Sequence, residues 1–206
     1  MPIFVFDLDG TLINSIEGIM ESIDYSCDQN NLNQINRETL EENIGPPINQ
    51  YLPKLLGISK KELIWEKFIK DFRDHHDHIG YKSYNLYPHA KDVLFDIVEK
   101  KNTIYIVTNK PYYITIKTLQ YFNLLSIFED IYALDQSQDK VEPWTNSLKR
   151  NKINYLDFIS KRHPQQILYY IGDRESDLIA TNKNKFNFIY ASYGYGGKLN
   201  IKTEIF

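Results

Sequence analysis

The 206-residue chain contains a single cysteine, Cys27, so it cannot form a disulfide bond within itself. Cys27 falls on the apolar side of a helical pattern, and we therefore expect it to pack in the core rather than to act as a nucleophile. A chain without disulfides fits a reducing compartment, and we expect a cytoplasmic protein.

Long hydrophobic runs are also lacking. No apolar stretch approaches the roughly 20 residues that a membrane-spanning helix needs, and the short apolar run at the N-terminus ends in an aspartate, unlike a signal peptide. Lys and Arg total 24 against 27 Asp and Glu, which gives a net charge of −3. A slightly acidic chain has no electrostatic reason to bind nucleic acid or an anionic membrane, so neither is an expected partner.

What the sequence does contain is five short apolar runs rich in β-branched and aromatic residues. They lack strict alternation, which is typical of strands buried on both faces of a parallel sheet. Helical patterns at 89–100, at 111–122 and around Leu156 separate the later runs. This order predicts an α/β fold with an open, mainly parallel, Rossmann-like sheet flanked by helices. The predicted strands are residues 3–6, 103–107, 131–134, 167–171 and 188–192.

A long helical interval follows the first predicted strand. Apolar residues recur at helical spacing over residues 16–27 and again over residues 63–72, and no convincing strand is present there. We therefore predict an all-α cap subdomain at residues 14–87, inserted into an α/β core formed by residues 1–13 and 88–206. The cap should lie over the carboxyl edge of the sheet, where open α/β sheets bind ligands.

Polar residues stand at the ends of three predicted strands. They are Asp7 and Asp9 after the first strand, Thr108 and Asn109 after the second, and Asp173 and Asp177 after the fourth. In a parallel sheet these ends share one edge, so the carboxylates should converge and repel one another unless a cation offsets their charge. Hard oxygen ligands without His or Cys indicate Mg²⁺ rather than zinc.

The motifs DLDGT (7–11) and GDRESD (172–177), with Thr108 at the end of a core strand, resemble those of the haloacid dehalogenase-like phosphohydrolases. IGPPI (44–48) and LYPHA (86–90) resemble segments of the phosphoglycolate phosphatase branch, which carries a C1-type helical cap at the position of the insertion. The resemblance covers essentially the whole chain. It implies a Mg²⁺-dependent phosphatase that hydrolyses a small phosphorylated metabolite through an aspartyl-phosphate.

The resemblance also implies roles for individual residues. Asp7 would be the nucleophile, and Asp9 would protonate the leaving alcohol and then deprotonate the attacking water. Thr108 would donate a hydrogen bond to the phosphoryl group, and Gly10 would let the backbone turn sharply beside it. The implied phosphate-binding residues are Gly10, Thr11, Thr108, Asn109 and a lysine.

The implied Mg²⁺ ligands are Asp7, Asp173 and the main-chain carbonyl of Asp9, with Asp177 supporting the site from the next helix. No other cofactor is expected.

The phosphate-binding lysine is harder to assign. In the family it usually begins the helix before the GD strand and is often followed by proline, and the lysines at that point of this chain are not. We prefer Lys152, because apolar residues at +3, +4 and +7 would place it one turn before the core side of the helix. Lys149 remains the alternative, and Lys140 is the least favoured.

Other interpretations remain open. A phosphosugar mutase could use the same scaffold, and a regulatory or binding protein could have kept the fold and lost turnover. The segment FRDHHDHIG (72–80) contains His75, His76 and His78, which we expect to form a polar cap surface rather than a second metal site. The protein is expected to be a monomer or a dimer.

Overall fold

The computed structural model describes residues 1–133 and 151–197, and a five-stranded sheet forms its centre. In chain order the strands are β1 (Ile3–Phe6), β2 (Ile13–Asn14), β3 (Asn85–Leu86), β4 (Thr103–Thr108), β5 (Asp130–Ala133), β6 (Leu168–Gly172) and β7 (Asn187–Tyr190). The order in the sheet is β5-β4-β1-β6-β7, and every neighbouring pair of its strands is parallel. The predicted α/β fold with a mainly parallel sheet is therefore confirmed.

The five predicted strands match the observed ones to within two residues at each end. The central strand β1 is covered on both sides, and Val5 pairs with Tyr105 on β4 and with Tyr170 on β6. Val5 and the next residue, Phe6, are both buried but belong to two different clusters of buried residues, so both faces of the strand are covered. This explains why these strands are apolar throughout rather than alternating. Leu134, the last residue of the third predicted strand, lies outside the described residues.

Helices cover the sheet and fill the interval after β1. The predicted helical patterns are confirmed, and Cys27 is fully buried in the first helix, as expected for a core residue. Within residues 1–133 and 151–197, no helix combines the length and apolar character needed to span a membrane. The helices are α1 (Ile16–Asn30), α2 (Arg37–Asn43), α3 (Ile48–Leu55), α4 (Leu63–His76), α5 (Ala90–Glu99), α6 (Tyr112–Tyr121), α7 (Lys152–Arg162) and α8 (Glu175–Asn184).

The chain leaves and rejoins the sheet region through β2 and β3. Ile13 pairs with Leu86 and Asn14 with Asn85 in an antiparallel arrangement. The expectation that this interval contains no strand was wrong, because a two-residue strand is too short to show a period in the sequence. The pairing brings both ends of the helical insertion to the carboxyl end of β1.

The insertion shares its apolar core with the sheet. One continuous cluster of buried residues includes Phe68 and Phe72 on α4, Leu8 and Leu12 after β1, and Ile106 on β4. The division into a cap at 14–87 and a core domain therefore stays a prediction.

Replacing Phe68 with alanine tests this shared core. Phe68 is fully buried, so Phe68→Ala should lower the free energy of unfolding by about 3–5 kcal/mol. Because the cluster is continuous, we expect one cooperative transition in denaturant, coincident by circular dichroism and tryptophan fluorescence. The control Leu63→Ala, on an exposed position of the same helix, should change stability by less than about 0.5 kcal/mol. Two transitions, of which Phe68→Ala shifts only one, would show that the insertion unfolds independently.

Candidate active site

Two adjacent strands and the helix that follows the second of them bring three carboxylates to one edge of the sheet. Asp7 follows β1 and Asp173 follows β6, and the two strands are in register, with Phe6 beside Ile171. Asp177 lies in the first turn of α8. Carboxylate oxygens of Asp7, Asp173 and Asp177 lie within 4.8 Å of one another, and all three residues are buried. The structure thus brings together the strand ends that the sequence pattern indicated.

Lys152, the first residue of α7, reaches into this cluster. Its Nζ donates to Asp7 Oδ2 at 2.6 Å and to Asp177 Oδ1 at 2.6 Å, and the lysine is itself buried. The preceding residue, Asn151, caps the helix by accepting a hydrogen bond from Asn154 N at 2.9 Å, which fixes where the helix begins. The alternatives Lys140 and Lys149 lie outside the described residues.

The cluster carries more negative than positive charge. Burial raises the pKa of Asp7 to about 7; Lys152 opposes this rise, whereas Asp177 and Asp173 add to it. Burial likewise raises the pKa of Asp173 to about 6. For Lys152, burial disfavours the charged form, but the two carboxylates it contacts outweigh that effect and raise its pKa. A further cation would relieve the repulsion between these carboxylates.

The donor atoms fit a divalent cation. Asp173 Oδ2 accepts from Tyr195 N at 2.8 Å, whereas Asp173 Oδ1 is buried and has no hydrogen-bond partner among the described residues. An unpartnered buried carboxylate oxygen beside Asp7 is the kind of hard ligand that Mg²⁺ takes. This group of residues could therefore hold the metal.

Asp177 has a different environment. Its Oδ1 accepts from Lys152 and from Tyr170 OH at 3.2 Å, and its Oδ2 accepts from Arg174 N at 3.1 Å. The Asp177 carboxylate thus accepts three hydrogen bonds from the protein, whereas that of Asp7 accepts two, so Asp177 has less capacity left for a metal. Asp177 is better placed to orient Lys152 and to cap α8 than to bind a metal directly.

The loop after β1 passes very close to Asp173. Gly10 has φ +80°, a conformation that glycine adopts without strain, and a Cβ at this position would collide with the Asp173 carboxylate. Thr11, the next residue, is fully buried, and its hydroxyl has no hydrogen-bond partner within the described ranges. The loop backbone therefore lies directly beside the cluster, and the Thr11 hydroxyl is available to bind a ligand there.

Asp9 lies apart from the carboxylate cluster and pairs with Lys110. Lys110 Nζ donates to the two Asp9 oxygens at 3.1 and 3.2 Å and to Tyr84 OH at 2.9 Å. Tyr84 OH in turn contacts His76 Nε2, and His76 Nδ1 lies 3.2 Å from Asp77 Oδ1. This buried chain of polar groups connects the strand-end aspartate to helix α4 of the insertion.

The expectation of a polar surface at the histidine segment was wrong for His76, which is buried. Burial lowers its pKa, so the imidazole is neutral near pH 7 and serves as a hydrogen-bond partner for Tyr84. His78 is exposed, as expected.

Lys110 is a site residue that sequence reasoning missed. Lys110-Pro111 is the only Lys-Pro pair in the chain, but it follows the second core strand rather than preceding the GD strand. Its backbone N–H donates to the hydroxyl of buried Thr108 at 3.1 Å. Asn109 is directed elsewhere, since its side-chain amide donates to Gly45 O at 3.3 Å and so contacts the insertion.

Residues 4–191 match the model of the haloacid dehalogenase-like hydrolase family. The chain belongs to this family. The family resemblance inferred from the motifs is thereby confirmed, and so is the expectation of a hydrolytic enzyme.

Two curated relatives of this hydrolase carry different names. A 5′-nucleotidase of Pseudomonas aeruginosa is 26% identical over 203 residues, covering 98% of this chain and 88% of the relative. A phosphoglycolate phosphatase of Haemophilus influenzae is 28% identical over 206 residues, covering 97% and 89%. The crystal structure of a predicted phosphoglycolate phosphatase from Haemophilus somnus superposes with a TM-score of 0.80 at 22% identity, covering 97% and 88%, and supports the fold.

Removing the charge of Lys152 tests how strongly it holds the cluster together. Lys152→Met leaves Asp7 and Asp177 buried without the cation that they share. The folded state loses stability if the two carboxylates stay charged, because they are then unpaired, and also if one takes up a proton, because the ion pair is lost. We expect the free energy of unfolding, measured in denaturant with a chelator present, to fall by about 3 kcal/mol.

Lys161→Met is the matched control. Lys161 lies on the same helix and pairs with Asp157, but its side chain is 73% exposed and that of Asp157 47%, so the change should stay below about 0.5 kcal/mol. Equal stability of Lys152→Met and the wild type would contradict the assignment of Lys152 as the counter-ion.

Proposed function

We propose that the chain is a Mg²⁺-dependent phosphoric monoester hydrolase that transfers the phosphoryl group of a small metabolite first to Asp7 and then to water. The observation that supports this most is the buried Asp7 carboxylate, held between Lys152 and Asp173 at the end of β1. We further propose a cytoplasmic enzyme that works as a monomer or a dimer.

Asp7 is oriented for attack on phosphorus. Its Oδ1 accepts from Leu8 N at 2.8 Å and its Oδ2 accepts from Lys152 Nζ, so the carboxylate is fixed at both oxygens. In the first step an Asp7 oxygen forms a bond to phosphorus as the bond from phosphorus to the leaving alcohol breaks. Lys152, adjacent to the attacking carboxylate, is placed to contact the phosphoryl oxygens.

Several groups would stabilise the phosphoryl group. Mg²⁺ held by Asp7, Asp173 and the Asp9 carbonyl would offset its negative charge. The buried hydroxyls of Thr108 and Thr11 and the backbone turn at Gly10 supply hydrogen-bonding groups at the same edge. Asn109 is proposed to link this edge to the insertion through Gly45.

Asp9 acts as the general acid in the first step and as the general base in the second. It donates a proton to the leaving alcohol and then takes one from water. That water attacks phosphorus, inorganic phosphate leaves and Asp7 is regenerated. Asp9 follows Asp7 by two residues in the loop after β1 and lines the cavity at the strand-end edge, which supports its placement beside the leaving group. Lys110 is proposed as a positioning residue that holds the Asp9 carboxylate.

Replacing the nucleophile tests this proposal. Asp7→Asn should lower hydrolysis of p-nitrophenyl phosphate at least about 1,000-fold, and a chelator should abolish wild-type activity until Mg²⁺ is restored. The control Asp157→Asn, an exposed change on α7, should keep activity. Normal turnover by Asp7→Asn would contradict the nucleophile, and phosphoryl return to substrate without steady phosphate release would favour the mutase.

A further inference from the structure

A cavity of about 360 Å³ lies between the helical insertion and the strand-end edge, and Asp9 forms part of its wall. The insertion contributes α4 and the segment from Ile44 to Tyr51, and the sheet side contributes residues 109–111 and 113–114. Its volume falls at the lower end of the roughly 300–1,000 Å³ that small-molecule sites occupy. A group that receives a proton from Asp9 would enter this cavity, so it is where the leaving alcohol belongs.

The cavity wall is largely apolar. Ile44, Ile69, Phe72 and Ile114 are among its lining residues, together with Pro46. An apolar wall of this size favours a leaving group with a flat or bulky apolar body, because its burial removes apolar surface from water. A two-carbon acid would leave most of the wall uncovered.

The charges near Asp9 also disfavour a small carboxylate. Two cations among the described residues line the cavity: Lys110, which is already paired with Asp9, and Arg73, which is exposed on α4. A substrate carboxylate close to the leaving oxygen would lie near the Asp9 carboxylate, and the nearby cation, Lys110, is already paired with Asp9. The repulsion between the two carboxylates would weaken binding of such a substrate.

Tyr51 supplies a polar group that the fold itself does not use. The residue is only 7% exposed, lines the cavity, and its hydroxyl has no hydrogen-bond partner among the described residues. Burial raises its pKa, so the phenol stays neutral and can donate. A buried hydroxyl without a partner typically costs about 1–3 kcal/mol, which a ligand atom would recover.

Polar side chains at other points of the cavity complete the pattern. Asn49 offers a side-chain amide of the kind that pairs with sugar hydroxyls and with the edge of a heterocyclic base. Asp77 and Asn109 also line the cavity and keep some hydrogen-bonding capacity beside their contacts with His76 and Gly45. The cavity therefore has a largely apolar wall with a few hydrogen-bonding side chains. Of the two cations that the described residues place in this wall, one is already paired with a carboxylate.

We propose that this cavity holds the nucleoside part of a nucleoside 5′-monophosphate, with the Tyr51 hydroxyl donating a hydrogen bond to it. The proposal rests on the proposed phosphatase function and specifies its substrate class. Tyr51 is then a residue that determines specificity, and it belongs to the insertion rather than to the strand-end cluster.

A substrate series tests the proposal with the wild-type enzyme and Mg²⁺. The series comprises nucleoside 5′-monophosphates, ribose 5-phosphate, 2-phosphoglycolate and p-nitrophenyl phosphate. We expect at least one nucleoside monophosphate to exceed ribose 5-phosphate and 2-phosphoglycolate in kcat/KM by about tenfold or more, because the leaving groups of those two esters are too small and polar to cover the apolar wall. Equal or higher kcat/KM for 2-phosphoglycolate or ribose 5-phosphate would overturn the substrate class while leaving the phosphatase proposal intact. Hydrolysis of none of the four kinds of ester would contradict the phosphatase proposal itself.

Two variants locate the binding site. Tyr51→Phe should raise KM for the nucleoside monophosphate about three- to tenfold with little change in kcat, and should raise KM for 2-phosphoglycolate by a smaller factor. Ile69→Phe should reduce the cavity and lower the kcat/KM ratio of nucleoside monophosphate to 2-phosphoglycolate by about tenfold.

Matched controls separate binding from folding. Tyr25→Phe and Leu63→Phe change exposed positions on α1 and α4 and should behave as wild type. Thermal melts of all variants check that they fold. If Tyr51→Phe and Ile69→Phe fold and leave the substrate preference unchanged, the cavity does not hold the leaving group and the proposal is wrong.

Discussion

The ion pair of Lys152 with Asp7 and Asp177 is the interaction on which the site depends. A carboxylate buried at a strand end is unfavourable unless a cation lies beside it, and two such carboxylates repel each other as well. Lys152 bridges both, at 2.6 Å each. It still leaves Asp173 with a buried oxygen that has no partner in the described parts of the chain. The remaining negative charge is what makes the edge suited to a divalent cation and to a phosphoryl group.

The insertion completes the site that the sheet begins. It contacts the strand ends through Tyr84 with Lys110, through Gly45 with Asn109, and through Glu41 O, which accepts from Arg174 at 3.4 Å. Beside these contacts, apolar residues of α3 and α4 line the same cavity as Asp9 and form the wall of the leaving-group site. In this account the sheet supplies the chemistry and the insertion supplies the selectivity.

The elements that a run of consecutive residues reveals, the strands and the polar residues at their ends, could be predicted from the sequence. The run Ile3–Phe6 and its counterparts identified the sheet, and their polar ends identified Asp7 and Asp173. Lys110 could not be found in this way, because its partner Asp9 lies 101 residues away and a lysine in a strand-to-helix turn is normally solvated. His76 and Tyr51 were missed for the same reason: their burial comes from packing between elements remote in sequence, which no local period records.

The most direct test of the account is to look for the phosphoryl group on Asp7. Enzyme mixed with a rapidly hydrolysed phosphate ester and Mg²⁺ is quenched in acid within milliseconds, digested, and analysed by mass spectrometry. The account predicts the mass increment of one phosphoryl group on the N-terminal peptide, localised to Asp7, and its absence from Asp7→Asn. Steady turnover with no modified Asp7 at any quench time, or with the phosphoryl group on another residue, would contradict it.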